Sequence, residues 1–369
     1  MYSQGELDEA VAAGAISVDS AAALRNFVEM QRSQPSVDEE QFRFITGFND
    51  IFVSIAAVIL LVAMAWIGQS IGASLGLAVE GDGPSFLAPA AVAATSWGLA
   101  LFFTARRRMA LPSILLLLAF VGAVFVTAGF AFVLALGPDR LDQSPALVGM
   151  IAAGSGALAA AAAWLHWKRF RVPITVAAGA AAIAAIAIGL LVAALGERVE
   201  SAQNLILGFV LLLGIGVFLV AMRWDSSDPA RLTRRSDVAF WLHLLAAPMI
   251  VHPVFTLLGL NDGHATIGEG LVVVLLYISI GLAALAIDRR ALLVSALAYV
   301  LFALNELFKQ FGAIELNVAL TALVIGSSLL LLSAFWHQAR EMVVTPLPDS
   351  LRAKLPVVGR AAPASQPAA

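Results

Sequence analysis

Polar residues in this chain gather in short runs, and between them lie long stretches with scarcely any charge. A helix needs about 20 apolar residues to cross the hydrocarbon of a bilayer. From residue 48 onward about ten stretches meet that measure: 51–77, 86–105, 111–136, 146–164, 172–195, 202–222, 238–260, 267–287, 291–307 and 318–336, of which the ninth is the shortest. Short connections force neighbouring spans to run antiparallel. The predicted fold class is therefore all-α: a polytopic helical membrane protein with about ten transmembrane helices arranged as five hairpins. The hairpins begin at similar intervals but share no motif, so ten short-looped helices account for the spacing without internal duplication. Small residues crowd the fourth and fifth spans, as in Ala152-Ala153-Gly154-Ser155-Gly156 and in 177–185, and predict close helix crossing there.

The first 34 residues have a different pattern. Leu7, Ala10 and Val11 recur at helical spacing, Gly14 ends that helix, Ser17 caps the next, and Ala21, Leu24, Phe27 and Val28 share one face. Residues 1–34 thus read as a small cytosolic helical hairpin, 35–47 as a linker with Pro35 and the acidic Asp38, Glu39 and Glu40, 48–337 as the transmembrane bundle, and 338–369 as a cytosolic, largely disordered tail. The run Leu7-x-x-Ala10-Val11-x-x-Gly14-x-Ile16-Ser17, then 21–28 and many spans, resembles a bacterial family of predicted polytopic membrane proteins of unknown function. The resemblance implies this layout and supplies no activity. The polar start lacks an apolar signal-peptide core, so the first span is expected to direct insertion.

Composition agrees with the pattern: 60% hydrophobic, 13% charged and a mean hydropathy of +0.90. Of the 22 Lys and Arg residues, all but Arg140, Arg198 and Lys309 fall in the terminal regions or in alternate connections. The positive-inside rule then places both termini in the cytoplasm, and the expected location is the bacterial inner membrane, multi-pass. Trp164, Trp167, Trp224, Trp241 and Trp336 sit at the same ends of spans, as an interfacial belt would place them. Cysteine is absent, which removes disulfides, thiolate metal sites and cysteine nucleophiles.

An ionisable or helix-breaking group inside a span is the main functional signal in such a chain. The stretch 240–255 carries His243, Pro248, His252 and Pro253. At about 1.5 Å per residue His243 lies near the cytoplasmic interface beside Trp241, and His252 about 21 Å along the span. The two histidines fall on opposite faces of a straight helix, so they are not expected to share a metal ion. Pro248 and Pro253 each remove a backbone donor and predict a kink or partial unwinding near Ile250. The partner expected for His252 is Glu306, within Asn305-Glu306-Leu307-Phe308-Lys309, because the two reach the same depth when both spans are counted from the cytoplasmic side. A histidine and a carboxylate at one level in low dielectric suit a proton-linked site, although Glu306 can instead pair with Lys309 one helical turn on. Asn261, Asp262, His264 and Glu269, with Glu315 and Asn317, group near the outer surface, where an ordinary solvated turn is the favoured account over a metal-accessible mouth.

No esterase elbow, His-Glu-x-x-His pair or phosphate-cradling glycine loop is present. The expectation is a non-enzyme with no catalytic residues, cofactor, metal or nucleic-acid partner. It is a small-solute transporter or channel-like protein, with protons as a possible coupling ion, that uses the intramembrane polar site His252, Glu306, Asn305, Pro248 and Pro253, with His243, Lys309 and Glu269 secondary. The alternative is a non-catalytic membrane scaffold that binds a protein partner through its N-terminal hairpin.

Overall fold

The structure is a computed structural model. It describes residues 10–24, 48–79, 81, 83–229, 231, 233–259, 267–290, 292–293, 297, 300–301 and 317–356. Chain contacts divide it into two units, Met1–Gln41 with Gly359–Ala369, and Phe42–Val358.

In the first unit, Gly14 takes a positive φ of 72° and closes the helical turn at residues 10–12. The Ser17 hydroxyl then accepts from the Ser20 backbone N–H at 3.1 Å and starts the helix at 18–24.

The second unit is a helical bundle, and no strand occurs among the described residues. Its main helices are α1 (Phe48–Ser74), α2 (Leu87–Phe103), α3 (Ala110–Leu136), α4 (Pro145–Phe170), α5 (Ile174–Leu195), α6 (Gln203–Ser226), α7 (Arg234–Leu257), α8 (Ile267–Ile287), α9 (Asn317–Ala334) and α10 (Trp336–Val344). Six of these are long and apolar enough to cross a membrane, or seven if α9 and α10, bent by 76° at their junction, count as one span. α2 and the 271–287 part of α8 are apolar but shorter. The expected span at 291–307 falls largely outside the described residues. The expected tail boundary at 337 falls inside α10, whose Arg340 and Val344 are buried.

Many of the large exposed side chains on these helices are apolar, among them Phe52, Trp66, Leu212, Leu219 and Leu330, as helices solvated by lipid require. Small residues set the closest helix crossings. A Cβ on Gly189 would lie 2.7 Å from Gly149 O and Ala153 N, so α4 and α5 cross backbone against backbone, where the small-residue runs predicted it. α6 and α7 touch as closely: a Cβ on Gly214 would lie 2.9 Å from the Met249 carbonyl oxygen. That carbonyl is the one Pro253 deprives of its helical donor, and the missing side chain at 214 lets α6 close over it.

Of the two outcomes expected near Ile250, a kink or partial unwinding, the unwinding does not occur. α7 is continuous from Arg234 to Leu257 with both prolines inside it. Proline breaks a helix when the freed carbonyl has nothing against it, and here the packing of α6 on the Met249 turn offsets that loss.

The turns share a device that the sequence does not announce. At one end the helices reverse near the positive-φ glycines Gly76, Gly137, Gly196 and Gly259; at the other the positive-φ residues are Arg108, Arg171, Arg231 and Asp288. A left-handed residue ends a helix sharply, and glycine adopts that conformation without strain. At the arginine-rich end charged side chains take it instead, at a cost of about 1 kcal/mol each.

Candidate functional site

Two adjacent residues, Asp288 and Arg289, organise the arginine-rich end of the bundle. α8 ends at Ile287, and the positive φ of 55° at Asp288 breaks the helix there. The two side chains serve different neighbours, and both residues are buried.

Arg289 turns to Asp225, in the last turn of α6. Its Nη2 donates to Asp225 Oδ1, its Nε donates to Oδ2 at 3.2 Å, and Nη2 also donates to the Ser236 carbonyl at 3.1 Å. This is a two-pronged guanidinium–carboxylate pair with both side chains out of solvent. His243 reaches the same carboxylate from α7, with Nε2 2.9 Å from Asp225 Oδ2. Since a carboxylate only accepts, Nε2 carries the proton. Nδ1 has no hydrogen-bond partner among the described residues, and Phe218 presents an edge contact to the ring at 5.1 Å. α7 is phased for this by Val238, Leu242, Ala246 and Val251, which share its buried side with His243.

Asp288 holds a second cluster. Its Oδ2 accepts from Arg231 Nη1 at 2.7 Å, and its Oδ1 accepts from the Trp336 indole N–H at 2.7 Å. Arg340 Nε lies 3.9 Å from Oδ1. Arg231 also donates through Nη2 to the carbonyls of Ile287 and Asp288, at 3.2 and 2.9 Å. The α6–α7 turn that presents Arg231 is braced by Asp228, whose Oδ2 accepts from the backbone N–H and hydroxyl of Thr233 at 2.9 and 2.7 Å. Thr233 in turn caps α7 by accepting from the Arg235 N–H.

Asp225 pairs with Arg289 and Asp288 with Arg231, each carboxylate against a guanidinium, and protonation of His243 adds one positive charge to this largely buried set. The Arg289 guanidinium occupies both oxygens of Asp225, the place a cation would take, and no three His, Asp or Glu side chains among the described residues converge as metal ligands.

The arrangement changes the reading of several expected residues. His243 is wholly buried inside the protein, with its ring against Asp225. Trp336 does not belong to an interfacial belt: it is buried and bonded to Asp288. Trp164 and Trp167 do carry nearby cations, with Lys168 Nζ 3.9 Å from one ring centroid and the Arg171 guanidinium 5.8 Å from the other. Pro248 is exposed and Pro253 buried. His252 is exposed on α7, and its carbonyl accepts from the Thr256 hydroxyl at 2.9 Å. Asn305, Glu306 and Lys309 lie outside the described residues, as do Asn261, Asp262, His264 and Glu315; Glu269 falls in the first turn of α8.

Sequence reading passed over Asp225, Asp288, Arg231, Arg289 and Arg340, counting the arginines only as positive-inside charges. The available signal was acidic: Asp225, Asp228 and Asp288 stand among those arginines, immediately beside the ends of apolar runs. A second buried imidazole, His166 of α4, has Nδ1 3.3 Å from the Thr175 hydroxyl and is ringed by Trp97, Phe120 and Phe170. No family model, curated protein or solved structure matches this chain, so the residues themselves must carry its functional reading.

Proposed function

We propose that this chain is a multi-pass protein of the bacterial inner membrane, with about ten spans and both termini cytoplasmic, that moves a small solute in a proton-linked manner and is not an enzyme. The observation that carries the reading is the Asp225–His243–Arg289 cluster, a titratable histidine and a paired carboxylate buried between α6, α7 and the turn after α8. Buried ionisable groups are expensive in a membrane protein and mark proton or solute pathways there. The unpartnered Nδ1 of His243 is the atom where a proton adds, and its arrival adds one positive charge beside the Asp225–Arg289 pair. The proposed outer site pairs His252, exposed on α7, with Glu306, which lies outside the described residues.

The test is reconstitution of the full chain in liposomes that enclose a pH-sensitive dye, challenged with a pool of low-molecular-mass solutes. Solute-dependent proton movement is expected, lost in His243→Gln if the buried cluster carries the proton and in His252→Gln if the outer site does. No solute-dependent movement in the wild-type chain, or movement untouched by either substitution, refutes the reading. Because the chain has no cysteine, single cysteines at positions 107 and 198 test its orientation directly, and labelling of 198 from the cytoplasmic side would reverse it.

A second reading, a membrane scaffold, draws on the separate contact unit formed by Met1–Gln41 with Gly359–Ala369. It predicts that deletion of residues 1–34 abolishes capture of a protein partner and leaves solute movement, if present, intact.

A further inference from the structure

Two turns at the arginine-rich end carry cations that no carboxylate among the described residues neutralises. Arg106, Arg107 and Arg108 lie in the α2–α3 turn, Lys168 and Arg169 in the last turn of α4, and Arg171 just beyond it; all six are exposed. No Asp or Glu occurs at 83–138 or at 143–196, and none of the six forms an ion pair among the described residues. Arg231 and Arg289, at the same end, are treated differently: each meets an aspartate out of solvent. The two turns are neighbours. Phe103 and Phe170 pack in one cluster with Ala100 and Leu116, and the Phe170 ring lies 5.2 Å from that of Trp97 on α2.

Four of these cations lie against aromatic rings. Lys168 Nζ stands 3.9 Å from the ring centroid of Trp164, one helical turn back toward the apolar stretch. The guanidinium carbons of Arg107, Arg169 and Arg171 stand 5.5, 5.6 and 5.8 Å from Phe102, Phe170 and Trp167. Trp164 is 59% exposed and Leu165 beside it is exposed, as are Leu101 and Phe102 on α2. These rings belong to apolar flanks that lipid solvates, so the charges are held at the border of hydrocarbon and water. A bilayer presents its phosphates at that border.

We propose that the α2–α3 and α4–α5 turns form a surface that binds anionic phospholipids, with headgroup phosphates on the six cations and acyl chains along the exposed rings of Trp164 and Phe102. Charge complementarity selects the headgroup, because a zwitterionic lipid brings its own cation to a surface that already has an excess. The rings select a lipid over a soluble anion, since they offer apolar contact that a free phosphate cannot use. This inference goes beyond the proposed transport and holds whichever side of the membrane the turns face.

The test titrates the full chain, in neutral detergent micelles, with dansyl-labelled phosphatidylglycerol and reads binding as energy transfer from tryptophan. Unlabelled phosphatidylglycerol should displace the probe at least about tenfold more effectively than phosphatidylcholine with the same acyl chains. One cation near an anionic surface is worth about fivefold in binding, so Lys168→Gln with Arg169→Gln should weaken the probe about thirtyfold. Lys168→Arg with Arg169→Lys keeps both charges and should bind as the wild type does. Arg234→Gln with Arg235→Gln, which removes two exposed cations beside Asp237 at the start of α7, should have little effect. Equal displacement by the two lipids in the wild-type chain overturns the proposal without recourse to any variant. So does an equal loss in the Arg234 and Arg235 variant, which would mean that charge alone matters and its place does not. Displacement by glycerol phosphate at the lipid's own concentration would show a soluble-anion site instead. Binding that appears only after Asp38→Asn, Glu39→Gln and Glu40→Gln would show the chain's own acidic run as the occupant, and either result overturns the lipid assignment.

Discussion

If Asp225 and Arg289 act as one neutral unit inside the bundle, removing either charge alone must cost more than removing both. Asp225→Asn keeps the shape of the side chain but leaves the Arg289 guanidinium, 4% exposed, facing an amide and the Ser236 carbonyl. Arg289→Gln leaves the Asp225 carboxylate, 2% exposed, with His243 as its remaining partner. The burial decides the size of the effect. An exposed pair would be worth at most about 1 kcal/mol, whereas stranding one member of a buried pair costs about 3 to 5 kcal/mol. In the double variant neither charge remains and the two amides can bond to each other, so the expected loss is about 2 kcal/mol and the coupling between the substitutions is about 4 kcal/mol or more. Unfolding of purified protein in mixed micelles, followed by circular dichroism for the wild type, both single variants and the double, measures that cycle. Additive single-variant costs would refute the reasoning, since they would mean that each charge is solvated on its own.

The remaining predictions concern packing and turns. Gly189→Leu places a side chain where the backbone of α4 now lies and should destabilise the bundle by about 3 kcal/mol, read as a lower midpoint in the same unfolding assay; Gly98→Leu, which meets nothing within 4 Å, should be tolerated. Arg171→Gly removes the strain of a left-handed arginine at φ 57° and should be neutral or stabilising by up to about 1 kcal/mol, whereas Gly137→Val, at φ 88°, should destabilise by about 1 kcal/mol or more. Thr233→Ala removes both the α7 cap and the hydroxyl that Asp228 accepts from, and should cost about 1 to 2 kcal/mol in that assay.

The helical membrane class was legible in the sequence because it follows from local quantities. Twenty apolar residues in a row have few alternatives to a helix in lipid, and small-residue runs such as 152–156 announce close crossing wherever their partner lies. Gly14 and Ser17 were legible for the same reason, since a left-handed stop and a hydroxyl cap act on their own turns. His243 was noticed as a histidine in a span, but its role depends on Asp225, 18 positions away, and on Arg289, 64 positions from Asp225. Charge patterning marks Arg231, Arg289 and Arg340 identically to arginines that face water, because orientation depends on the sum of charges in a connection and pairing depends on which side chains meet. The left-handed turns at Arg108, Arg171, Arg231 and Asp288 were hidden too, since no glycine marks them. Sequence alone determined that this chain is built of long apolar helices suited to a lipid solvent. The tertiary structure decided which charges leave water together, because that choice is made by helices packing side by side, and no local pattern records their neighbours.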